Sequence, residues 1–244
     1  MEKLEPLGRN TFIYVNETYH FTTDTILLSN FAMPKKSDIV CDLGTGCGTI
    51  PLLWHRDNVP KKVTAIDIQE NAIKLLKKTI EYNKIENIEP IVADIKDLKD
   101  KVSFASYDIV ITNPPYKKSG TGIKNPDQSK ATINHETMCS LDDICKAASK
   151  LLNFSGSFFM CQRPERLSDV IETLRKYELE PKRLRFVQQR INKTPKLFMI
   201  EAKYKANRGF MQVDPVLLIE DENGKFSHEM NNIYSYYKEE YLNG

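Results

Sequence analysis

Short apolar runs alternate with segments of helical spacing along most of this chain, and that alternation leaves few folds open. Ile39 to Leu43 runs into a glycine-rich turn. Ile50 to His55 then reads as a helix, with Pro51 tolerable because it falls in the first turn. Val63 to Ile68 is a second strand. Ala72, Ile73, Leu76 and Ile80 carry helical spacing on the next segment, and Asn83 is a plausible stop. Ile88 to Ala93 and Tyr107 to Thr112 are further strands. Leu141 to Leu152 reads as a helix, Ser157 to Cys161 as a strand, and Pro164 to Tyr177 as a helix opening on proline. Leu184 to Val187 and Leu197 to Tyr204 are late strands. Such alternation implies an α/β fold with a parallel, doubly wound sheet. In such sheets ligands sit beyond the carboxyl ends of the strands, near the point where strand order reverses.

Composition narrows the class. The 244 residues suit one large domain or two small ones. No apolar run approaches the roughly 18 residues of a membrane span. Met1 to Pro6 lacks the apolar stretch of a secretory signal. The five cysteines (41, 47, 139, 145 and 161) are an odd number without paired metal spacing, so they read as reduced thiols of a cytosolic protein. His20, His55, His135 and His228 show no metal spacing, and no metal is expected. Trp54 is expected in the core.

Net charge is only +2, but it is uneven. Residues 180–210 hold nine basic residues and two acids, for +7. Residues 211–244 hold seven acids and two lysines, for −5. Residues 117–130 hold four lysines and one acid, for +3. A basic block can be a polyanion footprint or the solvated rim of ordinary strands. Residues 117–134, polar and containing Gly120, Gly122 and Pro126, read as a long loop after a strand end, a common place for a lid.

The chemistry starts at Asp42-Leu43-Gly44-Thr45-Gly46-Cys47-Gly48, with a strand before it and a helix after. Glycines there let backbone approach a ligand closely. A dinucleotide fingerprint would need its third glycine at 49, where Thr49 stands. A phosphate loop would end in Gly-Lys-Ser/Thr, which is missing. Cys47 reads as a small structural residue of the turn. Asp67 ends the second strand; its carboxylate can accept both ribose hydroxyls of a nucleoside, or cap the following helix. Asp94 ends the third strand and by itself reads as a cap.

Asn113-Pro114-Pro115-Tyr116 follows the strand Tyr107–Thr112 directly. Two prolines hold a rigid turn at the strand's end. The Pro114 carbonyl and the Asn113 side-chain oxygen can then both point at one –NH2 group. An exocyclic or amide nitrogen is a poor nucleophile because its lone pair is delocalised. Two acceptors holding its protons favour a pyramidal nitrogen and free the lone pair for in-line attack on an electrophilic methyl. Tyr116 offers a face on which a base can stack, worth about 1–3 kcal/mol.

In order and spacing, Asp42 to Gly48, Asp67, Asp94 and Asn113 to Tyr116 resemble the class I S-adenosylmethionine-dependent amino-methyltransferases. Across residues 10–235 the chain resembles one family among them, the bacterial tRNA1(Val) (adenine-37-N6)-methyltransferases. Tyr19 to Leu28, Lys117, Asn125-Pro126, His135-Glu136, Arg163 to Leu167, Pro181 to Val187 and Glu222 to Phe226 carry that likeness. A glycine-rich stretch common in the family is replaced here by Lys203 to Phe210.

The resemblance implies a seven-stranded, mostly parallel Rossmann-like sheet with helices on both faces. It implies one methyltransferase domain: a cofactor-side extension (1–37), a catalytic core (38–205) and a C-terminal hairpin plus helix (206–244). It implies N6 methylation of a tRNA adenine with S-adenosylmethionine as methyl donor, no metal and a cytoplasmic location; the sequence does not fix the oligomeric state, and a monomer is favoured. Asn113, Pro114 and Tyr116 are then catalytic. Thr23, Asp42, Gly44, Gly46, Gly48, Asp67, Ile68, Asp94, Ile95 and Asn113 are the cofactor residues. Lys117, Lys118, Lys124, Arg163, Arg183, Arg185 and Lys193 are the RNA-contact candidates.

A tRNA target is physically reasonable, because a base beside the anticodon lies in a single-stranded loop and can be splayed out. Release-factor glutamine methyltransferases share the NPPY motif but carry a substantial N-terminal helical domain, and only about 37 residues precede the first strand here. DNA adenine methyltransferases need a target-recognition domain for which the chain has no room. A catalytically silent RNA-binding protein would have no need of the intact glycines, Asp67 and NPPY.

Overall fold

The computed structural model describes residues 1–57, 59–114 and 139–234. The elements run β1 (Lys3–Gly8), β2 (Thr11–Val15), α1 (Thr23–Ala32), β3 (Ile39–Leu43), α2 (Thr49–Arg56), β4 (Lys62–Asp67), α3 (Glu70–Asn83), β5 (Ile88–Val92) and β6 (Tyr107–Thr112). They continue with α4 (Leu141–Leu151), β7 (Leu152–Gln162), a 3-10 turn (Pro164–Arg166), α5 (Leu167–Lys176), β8 (Leu179–Gln188), β9 (Leu197–Tyr204), β10 (Gln212–Val213), β11 (Leu217–Leu218) and α6 (His228–Ile233). Pro115, Tyr116, the loop 117–134 with Lys117, Lys118 and Lys124, and His135-Glu136 lie outside the described residues.

The main sheet has the order β10-β8-β9-β7-β6-β3-β4-β5, with β11 also on β8. β9 is antiparallel to β7 and β8, and the other pairings in this sheet are parallel. Its seven long strands form the expected sheet, and two two-residue strands extend its β8 edge. The last described element of the C-terminal extension is α6. Its hairpin is a single antiparallel bridge between Glu220 and Phe226, closed by Asp221, which accepts from the backbone N–H of Asn223 and Lys225 at 2.8 and 3.0 Å.

Strand alternation divides the core between the two faces of the sheet. Val40, Ile109, Ile111, Phe159 and Cys161 join Leu27, Leu52, Trp54, Ile73 and Leu76 from α1, α2 and α3 on one face. Cys41, Leu43, Val110, Phe158 and Met160 join Ile144, Leu151, Val170 and Leu174 from α4 and α5 on the other. This period-2 division is what a sheet covered on both sides requires.

Two elements carry no periodic signal. α1 is apolar on nearly every side because α2, β7, β9 and α6 surround it. The β1–β2 hairpin lies against α3, which supplies side-chain partners to β2. Thr79 Oγ1 accepts from Tyr14 N at 3.0 Å, and Asn83 pairs with both backbone groups of Phe12 at 2.9 and 2.8 Å. Asn83 thus ends α3 and anchors the hairpin.

Candidate active site

Strand order reverses between β3 and β6, and the two strand ends there are tied together. Thr112 Oγ1 donates to the Leu43 carbonyl at 2.8 Å. The glycine loop leaves β3 and folds toward β4, with Gly44 N and Thr45 N donating to Ile66 O at 2.8 and 2.9 Å. Gly48 has φ +87°, and a Cβ on it would lie 2.3 Å from Leu76 Cδ1, so the loop closes on α3 only with glycine there.

Asp67 is buried and held by backbone donors. Gly46 N donates to its Oδ2 and Gln69 N to its Oδ1, both at 2.9 Å. It therefore joins the glycine loop to the start of α3, and the capping reading and the ligand reading coexist. Tyr19 Oη donates to Gln69 Oε1 beside it. Burial and the Asp67 charge raise the Tyr19 phenol above its ordinary range, which keeps it a donor. Ile68, the next residue, is 36% exposed, an apolar surface beside the carboxylate.

Asp42 is 1% exposed, and among the described residues neither carboxyl oxygen has a hydrogen-bond partner. Burial pushes its carboxyl up to about 7; the Thr45 hydroxyl opposes this and the Asp67 charge adds to it. A buried acid without donors is costly unless a ligand supplies them. Asp94 follows β5 and is half-buried. Its Oδ1 accepts from Lys96 N at 2.9 Å, and Ile95 packs into the core beside it.

Asn113 stands at the end of β6 with both ends of its side-chain amide engaged. Nδ2 donates to Thr25 Oγ1 at 2.9 Å, and the Cys161 thiol donates to Oδ1 at 3.1 Å. Thr23, at the start of α1, accepts from Tyr234 Oη at 3.4 Å. The structure thus brings the glycine loop, Asp42, Asp67 and Asn113 to the carboxyl edge of the sheet. It adds Cys161, which the sequence reading does not include, and it brings Thr25, from the Tyr19–Leu28 segment, onto Asn113, 88 residues away, a contact that no local spacing encodes.

The basic residues of 180–208 divide. Arg185 makes a two-pronged ion pair with Glu229, at 2.7 Å on each side, and donates to Pro215 O at 2.9 Å. Arg183 pairs with Glu201 at 3.2 Å, stands 4.0 Å over the Phe31 ring and donates to Phe31 O at 2.7 Å. Arg190 pairs with Glu220. These arginines hold the acidic C-terminal segment and α1. Arg163 donates to Lys196 O at 3.1 Å, which places it against the β8–β9 loop that carries exposed Lys193.

Among the described residues no group of three or more His, Cys, Asp or Glu could hold a metal, and no helix is long and apolar enough to cross a membrane.

A tRNA1(Val) (adenine(37)-N6)-methyltransferase from Parabacteroides distasonis is 27% identical over 180 residues, 73% of this chain and 74% of that protein. One of the same name from Bacteroides fragilis is 28% identical over 137 residues, 56% of each protein. Among solved structures, a predicted O-methyltransferase from Agrobacterium tumefaciens shares the fold, with TM-score 0.69 at 17% identity over 87% of this chain and 96% of its own. The family model for the methyltransferase small domain matches residues 21–177, from just before α1 to just past α5, and the chain belongs to that family.

Proposed function

We propose that this chain is a cytoplasmic, single-domain, monomeric methyltransferase that uses S-adenosylmethionine to methylate N6 of an adenine in tRNA, with adenine 37 of tRNA1(Val) as target. The observation that carries this reading is the placement of Asn113 beside the glycine loop with its amide held at both ends. The names borne by relatives along most of the chain favour tRNA over a release-factor glutamine.

Asp42 is the test of fit for the methyl donor. Its donor-free, buried carboxyl suits a ligand bearing an ammonium group and hydroxyls. Asp67, fixed by two backbone N–H groups at the end of β4, would meet the ribose hydroxyls. Asp94, Ile68 and Ile95 would flank the adenine. When bound, S-adenosylmethionine supplies an electrophilic methyl on a sulfonium.

The chain's own contribution is to present the acceptor. Asn113 Oδ1 and the Pro114 carbonyl hold the two protons of the target amine, and Tyr116 stacks on its base. The amine proton leaves after attack, so no strong base is needed. Arg163 and Lys193, with Lys117, Lys118 and Lys124 of the loop, are the proposed phosphate contacts. Arg183 and Arg185 support the surface rather than touch RNA.

The experiment is methyl transfer from labelled S-adenosylmethionine to tRNA lacking the modification, followed by nucleoside analysis. N6-methyladenosine in a valine tRNA, lost when adenine 37 is replaced, is expected. Label on a release-factor glutamine and none on tRNA would sink the RNA reading. Asn113→Ala should lose about 10²–10³-fold in turnover, far more than any loss of cofactor affinity. Near-normal turnover would refute the two-acceptor account.

A further inference from the structure

We propose that Thr25 is the positioning residue for Asn113: its hydroxyl oxygen fixes which end of the Asn113 amide faces the reacting amine. This rests on the reading of Asn113 as the amide that meets the target nitrogen.

An asparagine side chain is nearly symmetric in shape and opposite in chemistry at its two ends. A flipped amide would offer an N–H to an amine that needs an acceptor, and the two-acceptor geometry would be lost. Something must set the orientation, and the surroundings of Asn113 do so from two elements. Thr25 Oγ1, in the first turn of α1, stands 2.9 Å from Nδ2. Cys161 Sγ, near the end of β7, stands 3.1 Å from Oδ1.

Toward Asn113 the Thr25 hydroxyl oxygen is the acceptor, because the group 2.9 Å from it is Nδ2. Thr22, the N-cap of α1, has its Oγ1 3.1 Å from Thr25 Oγ1 and also accepts from Thr25 N at 3.4 Å. A lone pair of Thr25 is thus left toward Asn113, and only the NH2 end can pair with it. The opposite end meets the Cys161 thiol, a weak donor. Cys161 thus donates to Asn113 and Asn113 to Thr25, and the Thr25 and Thr22 hydroxyls share a further hydrogen bond.

Helix α1 is a rigid mount for this. Trp54 Nε1 of α2 donates to the Ser29 carbonyl at 3.0 Å, and Arg183 of β8 donates to the Phe31 carbonyl at 2.7 Å. The segment 23–32 thus does more than border the cofactor: it sets the acceptor geometry at the end of β6.

Two variants separate the roles. Thr25→Val removes the acceptor at nearly constant volume, and Thr25→Ser keeps it. Thr25→Val should lower kcat by about tenfold to a hundredfold. The tRNA KM and the cofactor Kd should stay within about twofold of wild type. Thr25→Ser should restore most of kcat. On an Asn113→Ala background Thr25→Val should cost nothing further, because the group it positions is gone.

The second readout needs no turnover. In NMR of the 15N-labelled protein, the Asn113 side-chain NH2 pair, assigned by its disappearance in Asn113→Ala, should exchange with solvent at least about fivefold faster in Thr25→Val and unchanged in Thr25→Ser. Unchanged kcat and unchanged exchange in Thr25→Val would overturn the proposal. So would a loss that Thr25→Ser fails to rescue, or one of equal size on the Asn113→Ala background. If Thr25→Val does not fold, the same readouts on Thr25→Ala decide. Wild-type protein that methylates no RNA would defeat the functional reading, while the exchange measurement still judges the amide clamp.

Discussion

Asp42 shows how a single residue can be costly to a fold and useful to a site. Its carboxyl, raised from 3.8 to about 7 mainly by burial, binds more protons when folded than when unfolded. This group's contribution to stability therefore falls as pH rises from about 4 to about 7 in the ligand-free protein. A bound ammonium favours the ionised carboxylate, so cofactor affinity should move the opposite way. Calorimetry between about pH 5 and 6.5, below the range in which an α-amino group titrates, should show affinity rising with pH. Asp42→Asn should flatten that rise, and a flat wild-type profile would show that Asp42 does not meet the ammonium. Asp67 is the complementary case, a buried carboxylate already satisfied by Gly46 N and Gln69 N. Asp67→Ala should weaken S-adenosylmethionine binding and loosen the glycine loop together. An unchanged dissociation constant would mean that the carboxylate never reaches the ribose.

At the scale of elements, the charge blocks answer each other. The strongly basic stretch on β8 and the loop after it meets the acidic segment that follows β9, through Arg183–Asp214, Arg185–Glu229 and Arg190–Glu220. Two opposed charge runs in the sequence thus become one interface that lays the C-terminal segment along the sheet edge and α6 against α1. Glu229 is 44% exposed, so its pair with Arg185 is worth no more than about 1 kcal/mol. Arg185→Ala should speed hydrogen exchange in α6 and lower the melting temperature modestly. RNA affinity and its salt dependence should be unchanged. A shallower salt slope in that variant would return Arg185 to the RNA-binding surface.

For the whole molecule, the sheet is a partition with helices on both sides, and the site sits where the chain leaves it in two directions. Trp54 ties two of those helices together. It is 2% exposed, and its indole N–H reaches the Ser29 carbonyl of α1. Trp54→Ala should cost about 3–5 kcal/mol in urea unfolding, and Trp54→Phe much less. A loss under about 1 kcal/mol for Trp54→Ala would mean that α1 is held chiefly by other contacts. By itself the sequence placed the seven long strands of the main sheet, because alternation and β-branched runs are local: Tyr107–Thr112 and Leu197–Tyr204 were legible to the residue, β7 and β8 only in part, and β1, β2, β10 and β11 not at all. The places of the glycine loop and of Asn113 at strand ends were legible as well, because turns and strand ends are local too. Only the tertiary structure decided that α1 is a helix at all, since a helix apolar on every side has no period to read. It alone decided that Thr25 meets Asn113 and that Arg185 meets Glu229, 44 residues away. Pairings of this kind depend on which strand ends the fold brings side by side, and no spacing along the chain encodes them.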